Sequence, residues 1–184
     1  MISEKLFEPR AVYGYYRCHN TTPNKNGIGK LAVDSNGEKI IFEFPRSSKE
    51  KHLCLADYFG SDDIVAFQSV TVGQRVSEVI DLWNKQDKYT DAYYLHGLAV
   101  ETAEAMAEWV NEKIREELKI GTKRGLRFSW GYPSCPDILQ HQLVWRILDP
   151  IKSGMTLTES GQIVPDQSTA AIVVHHPEAE YFLL

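Results

Sequence analysis

Apolar positions in the first seventy residues come in short runs and alternations, the period of a strand, and after Gly73 they recur at three and four residues, the period of a helix. Ala11–Cys18 is rich in β-formers and starts just after Pro9, so it reads as a strand. Asn36-Gly37 between Leu31–Val33 and Lys39–Phe44 predicts a type I′ hairpin, which Pro45 closes. The polar stretch from Asn20 to Gly29, carrying Pro23, predicts a surface loop. Leu53–Phe59 is apolar apart from Asp57, which either caps the turn at Gly60–Asp62 or faces a pocket. Asp63–Val72 is apolar on both faces, with Val65, Phe67 and either Val70 or Val72 toward the core, the pattern of a central strand.

Val76, Val79, Ile80 and Trp83 predict a helix after Gly73, and a longer one follows from Asp91 to Leu118. Leu95, Leu98, Ala99, Thr102, Ala103, Met106, Trp109, Val110 and Ile114 form its expected apolar arc, with Glu101, Glu108 and Glu112 opposite. Glu104 falls at the edge of that arc beside Gly97, Val100 and Ala107, where small neighbours leave room for a ligand or for water. Gly121 supplies a C-cap signal. Asp137 is the expected N-cap of a helix from Ile138 to Leu148, burying Leu139, Leu143, Trp145, Ile147 and Leu148 and stopped by Pro150. Gly154–Thr158, Thr169–His176 and Glu180–Leu184 read as further strands, the last after a turn at Pro177–Ala179. Strands and helices are segregated in blocks, so the expected class is α+β, a largely antiparallel twisted β-sheet with packed helices. The expectation is a single domain over residues 1–184.

Charge and composition narrow the partners. A net charge of −5 with interspersed signs gives no electrostatic reason for nucleic acid or an anionic membrane. No stretch approaches a membrane span, and Met-Ile-Ser-Glu-Lys lacks a signal-peptide layout, so a cytoplasmic location is expected. Three widely spaced cysteines, Cys18, Cys54 and Cys135, suit neither a disulfide framework nor a zinc site. Gly27-Ile-Gly29-Lys30 is not a nucleotide loop, because alternating, strand-like residues follow it.

The chemically dense stretch is Arg127-Phe-Ser-Trp-Gly-Tyr-Pro-Ser-Cys-Pro-Asp137. Pro133 and Pro136 fix φ and remove two donors, while Gly131 permits a conformation or an approach that a side chain would block, so a shaped loop is expected. Arg127 offers a planar fork suited to a carboxylate, and the rings beside it suit a cation. A rigid corner plugged into the core is the alternative. A nucleophilic Cys135 with His175 or His176 as base lacks a basic neighbour to lower the thiol pKa. A metal site of Cys135, Asp137 and His141 lacks a recognised spacing. One of His175 and His176 at most faces the core, as a hydrogen-bonded structural histidine.

That stretch resembles the Arg-x-x-x-Gly-Tyr-Pro-Ala-Cys-Pro signature of the reactivation domain of cobalamin-dependent methionine synthase. Cys54–Tyr58, Leu95–Ala99 leading into Ala103–Glu108, and Leu157–Ser160 followed by His176–Phe182 match the same family in the same order. The resemblance implies that Arg127 holds the carboxylate of S-adenosylmethionine and that Ser129 contributes chiefly through its backbone. It further implies that Gly131 belongs to the binding loop, Tyr132 and Glu104 lie near the sulfonium, and Tyr181 and Phe182 form a late contact pair. It implies a domain that presents S-adenosylmethionine for reductive methylation of cob(II)alamin, with cobalamin bound by a partner domain. Its partners would be the cobalamin-binding domain of methionine synthase and flavodoxin or another reductase. No Asp-x-His-x-x-Gly cobalamin motif is present, so the chain is expected to be a part or a separate subunit of the enzyme, N-terminally shortened relative to the family and unable to make methionine alone. The alternative is a non-catalytic module that docks on a cobalamin protein without binding S-adenosylmethionine.

Overall fold

The computed structural model describes residues 6–22 and 27–184; Met1–Lys5 and Pro23, on which two of the readings above bear, lie outside them. The chain runs through β1 (Arg10–Asn20), β2 (Gly29–Ser35), β3 (Glu38–Phe44), β4 (Asp63–Thr71), α1 (Gln74–Lys85), α2 (Tyr89–Leu118), β5 (Leu126–Ser129), α3 (His141–Leu148), β6 (Thr156–Leu157), β7 (Ile163–Val164) and β8 (Ser168–Val174). Six strands form one sheet in the order β3-β2-β1-β4-β8-β5, every neighbouring pair antiparallel. β6 and β7 pair separately. This is the α+β class expected.

The local reasons are visible in the backbone. Asn36 and Gly37 have φ of 50° and 83°, the two left-handed positions a type I′ turn demands, so β2 and β3 leave the turn in full register from Ser35↔Glu38 to Gly29↔Phe44. β4 is buried from Val65 through Thr71 because it lies between β1 and β8 with packed layers on both faces. One layer holds Phe42, Phe67, Phe128, Trp130 and Ile172 with α3 and the 3-10 turn Leu55–Tyr58. The other sets Ala66, Val70 and Val173 against Ala107, Val110 and Ile114 of α2, and α1 packs beside it through Val76.

Several expectations are corrected. The buried face of α2 is Leu95, Ala99, Ala103, Ala107, Val110, Asn111 and Ile114, whereas Leu98 and Trp109 are 58% and 56% exposed. A helix lying close on a sheet needs small residues at the contact, so alanines take the seam and the larger side chains are turned aside. Glu108, expected on the far side, instead faces β5. Lys119, at φ 55°, takes the left-handed C-cap position assigned to Gly121. Asp57 does not cap the turn, where Asp63 accepts the Gly60 N–H at 3.0 Å in its place; it lines a pocket, as its alternative reading had it, with Arg46 gripping both of its oxygens. Asp137 does cap, accepting from the Leu139 N–H at 3.0 Å, but it opens the 3-10 turn Ile138–Gln140 ahead of α3, and Leu139 stays exposed. Glu180–Leu184 forms no strand and joins no sheet.

Phe67 is fully buried with its ring 4.9 Å from Phe42 and 6.1 Å from Trp130. Phe67→Ala should lower the unfolding free energy by about 3–5 kcal/mol in chemical denaturation, the cost of a buried aromatic plus its cavity.

Candidate functional site

Register across the sheet aims the site. Phe128 stands in one row with Ile172 and Phe67, facing the aromatic core, so its neighbours Arg127 and Ser129 point to the opposite face, under α2. There the guanidinium, 16% exposed, donates to Glu104 Oε2 at 2.5 Å and lies 3.5 Å from Glu108 Oε2. Glu104 and Glu108 are four residues apart on α2, one above the other. Glu108 also accepts from Arg115 at 2.9 Å, and Arg115 is itself tied to the Arg124 carbonyl at 3.0 Å. Burial opposes the charge on Arg127, but the two carboxylates outweigh it and hold its pKa above the ordinary guanidinium value.

Beyond β5 the chain turns back on itself. Gly131 sits at φ 88°, its N–H donates to the Cys135 carbonyl at 3.0 Å, and the Cys135 N–H donates to the Tyr132 carbonyl at 3.0 Å. Trp130 and Cys135 point inward and anchor the turn, while Tyr132 stands 61% exposed at its tip. The C-terminal segment closes the other side: Ser134 Oγ donates to the Phe182 carbonyl at 2.8 Å and Ser47 Oγ to the Leu183 carbonyl at 2.6 Å. The Tyr181 ring stacks obliquely 5.1 Å from Phe128.

These elements enclose a cavity of about 480 Å³ whose lining includes Glu104, Arg127, Ser129, Tyr132, Tyr181 and Phe182. The structure therefore gathers six of the seven residues singled out in the sequence. Gly131 shapes the loop and is not in the wall. Sequence reasoning missed Glu108, whose spacing from Glu104 was the available signal, and also Phe128, Pro133, Ser134 and Leu183, which complete the lining.

The competing chemistries do not assemble. Burial pushes the Cys135 thiol up to about 12, and its Sγ donates to the Ser129 carbonyl at 3.0 Å, the state of an inert packing thiol. His175 bonds Asp63 at 2.8 Å, and the His176 ring lies 5.6 Å from Tyr58, so neither serves as a base for Cys135. His141 gives Nδ1 to the Gly161 carbonyl at 2.7 Å. Among the described residues no cluster of three His, Cys, Asp or Glu side chains suits a metal, and no helix is long and apolar enough to cross a membrane.

An all-antiparallel sheet with an arginine on its edge strand, paired there with two helix carboxylates beside a cavity lined partly by rings, defines an α+β domain with a charged, ring-lined pocket. Over residues 1–184 the chain matches the family described as the vitamin B12 dependent methionine synthase activation domain, and it belongs to that family. Methionine synthase of Mycobacterium tuberculosis is 36% identical over 96% of this chain, and that of Mycobacterium leprae is 32% identical over 93%. The chain spans only 17% and 16% of those relatives' lengths. A crystal structure of the MetH reactivation domain bound to AdoHcy superposes with a TM-score of 0.84 at 24% identity, covering 98% of this chain and 62% of that one, so the fold is shared.

Cys18 and Cys135 both have thiols pushed up to about 12 by burial, and Cys54 is raised as well. Thiolate is the reactive form, so iodoacetamide at neutral pH should label the native protein slowly and all three cysteines rapidly once it is unfolded; fast labelling of native Cys135 would restore the nucleophile reading.

Proposed function

We propose that this chain binds S-adenosylmethionine in the Arg127 cavity and presents it for reductive methylation of cob(II)alamin, reactivating a cobalamin-dependent methionine synthase. The observation that carries the reading is the Arg127 fork, set on an edge strand, mostly buried, and already complementary to carboxylate oxygens. The residues fit the ligand group by group. Arg127 suits the amino-acid carboxylate by charge-assisted pairing. Glu104, 38% exposed on the cavity wall, suits a positive centre, and the rings of Tyr132 and Tyr181 add a cation-attracting surface. The cavity's volume lies within the range of small-molecule sites.

When bound, S-adenosylmethionine supplies an electrophilic methyl group on sulfur; the chain's own residues bind and orient it. Arg127 fixes one end, the Phe128–Tyr181 pair with Phe182 gives the wall its ring surface, and exposed Tyr132 lies where a docked partner would meet the ligand. No proton transfer by this chain is required, in keeping with His141, His175 and Cys135 being committed to structural bonds. The cobalamin would be carried by the cobalamin-binding domain of the synthase, and the electron would come from flavodoxin or another reductase.

Calorimetric titration should show saturable binding of S-adenosylmethionine, and Arg127→Ala should weaken it by about 2–5 kcal/mol, the cost of leaving a buried charge partner unmatched. A folded wild-type chain that binds no S-adenosylmethionine would instead support the docking module.

A further inference from the structure

Arg127 does not meet its acids alone. Glu108, with one oxygen 3.5 Å from the Arg127 Nε, gives the other to Arg115 at 2.9 Å, and Arg115 lies outside the cavity lining with its side chain only 16% exposed. The Arg115 Nε donates to the Arg124 carbonyl at 3.0 Å and the Gly125 carbonyl at 3.3 Å, and the buried Asn111 amide donates to that same Gly125 carbonyl at 3.0 Å. Those carbonyls stand immediately before β5, so one side chain holds both the turn that delivers Arg127 and the acid that faces it. The fit is close: Gly125 sits at φ 80°, and a Cβ there would come within 3.0 Å of the Arg115 Cγ.

Arg115 also decides the charge of the site. With it, Glu104 and Glu108 face two guanidiniums and the cluster is neutral. Without it, two acids would surround Arg127 alone, and a ligand carboxylate would arrive as a third anion at one cation in a site of reduced dielectric. The charge of Arg115 is felt inside the cavity: burial raises the pKa of the Tyr181 phenol in the wall, and Arg127 and Arg115 both oppose that rise while Glu108 adds to it. We infer, resting on the binding reading above, that Arg115 is a positioning residue that keeps Arg127 able to take a ligand carboxylate, by sharing the charge of Glu108 and fixing it to the turn before β5. It touches no ligand. Its effect passes through Glu108, so it bears on the carboxylate end of the ligand and leaves the rest of the molecule to other residues.

The test compares calorimetric dissociation constants of S-adenosylmethionine and decarboxylated S-adenosylmethionine, the weaker ligand by competition, for wild type, Arg115→Met, Glu108→Gln and the double variant, with thermal unfolding confirming that each is folded. The ratio of the two constants isolates the carboxylate, because the ligands share every other group. Wild type should prefer the carboxylate-bearing ligand by at least about tenfold. Arg115→Met should cut that preference about tenfold, Glu108→Gln should raise it about threefold, and the double variant should return to within about threefold of wild type. A merely structural role predicts no such recovery, since the Arg124 and Gly125 carbonyls lose the same donor in the double variant as in the single one. If the ratio is unchanged in Arg115→Met, or falls and is not restored by adding Glu108→Gln, the inference is wrong and the binding reading stands. Should Arg115→Met not fold, Glu108→Gln decides alone: a raised ratio supports the inference and an unchanged one overturns it. If wild type binds both ligands equally, Arg127 does not hold the carboxylate and the inference falls. If neither ligand binds folded wild type, the binding reading falls and the inference falls with it.

Discussion

A guanidinium withdrawn from water must be met by negative charge, and here that requirement fixes where the longest helix lies. Arg127 enters from the edge strand β5, and its partners come from α2, whose carboxylates at positions 104 and 108 stack on one side at helical spacing. The helix approaches closely because its underside is alanine at positions 99, 103 and 107. Packing and ion pairing therefore depend on each other: the alanine seam sets the height at which the glutamates meet the arginine, and the pairing leaves no charge stranded beneath the helix.

The loop after β5 divides its residues between two jobs. Trp130 joins the aromatic stack on the far face of the sheet and Cys135 ties back to Ser129, which makes the turn rigid. Tyr132 is then left at the tip with its ring toward solvent and cavity. The opposite wall is held by hydroxyl groups, Ser134 and Ser47 each donating to a carbonyl of the C-terminal segment. The stretch is therefore a core plug on one side and a cavity-facing surface on the other.

Much of this was legible in the sequence where local rules dominate. Asn36-Gly37 encodes its turn because few residues tolerate two left-handed positions, and β4 declares itself central by being apolar on both faces. The residues gathered round the cavity were singled out through a shared signature rather than through chemistry alone. What could not be read depends on distance in sequence. Hydrophobicity ranks Leu98 and Trp109 above Ala107 for burial, and only the closeness of the sheet reverses that order. Asp57 finds Arg46 eleven residues upstream by folding, with nothing local to announce it. The C-terminal segment carries strand-forming residues, yet its carbonyls are taken by serine side chains rather than by a ladder.

The alanine seam has a consequence that reaches past stability. Because it sets the spacing between a fixed arginine and two helix-borne acids, it acts as a ruler for the cavity's electrostatics. A larger residue at Ala103 or Ala107, neither of which lines the cavity, would lift the helix and lengthen those ion pairs together. Substitutions in this layer would accordingly change how fully Arg127 is neutralised, so the charge presented to the cavity is set from buried positions outside its lining.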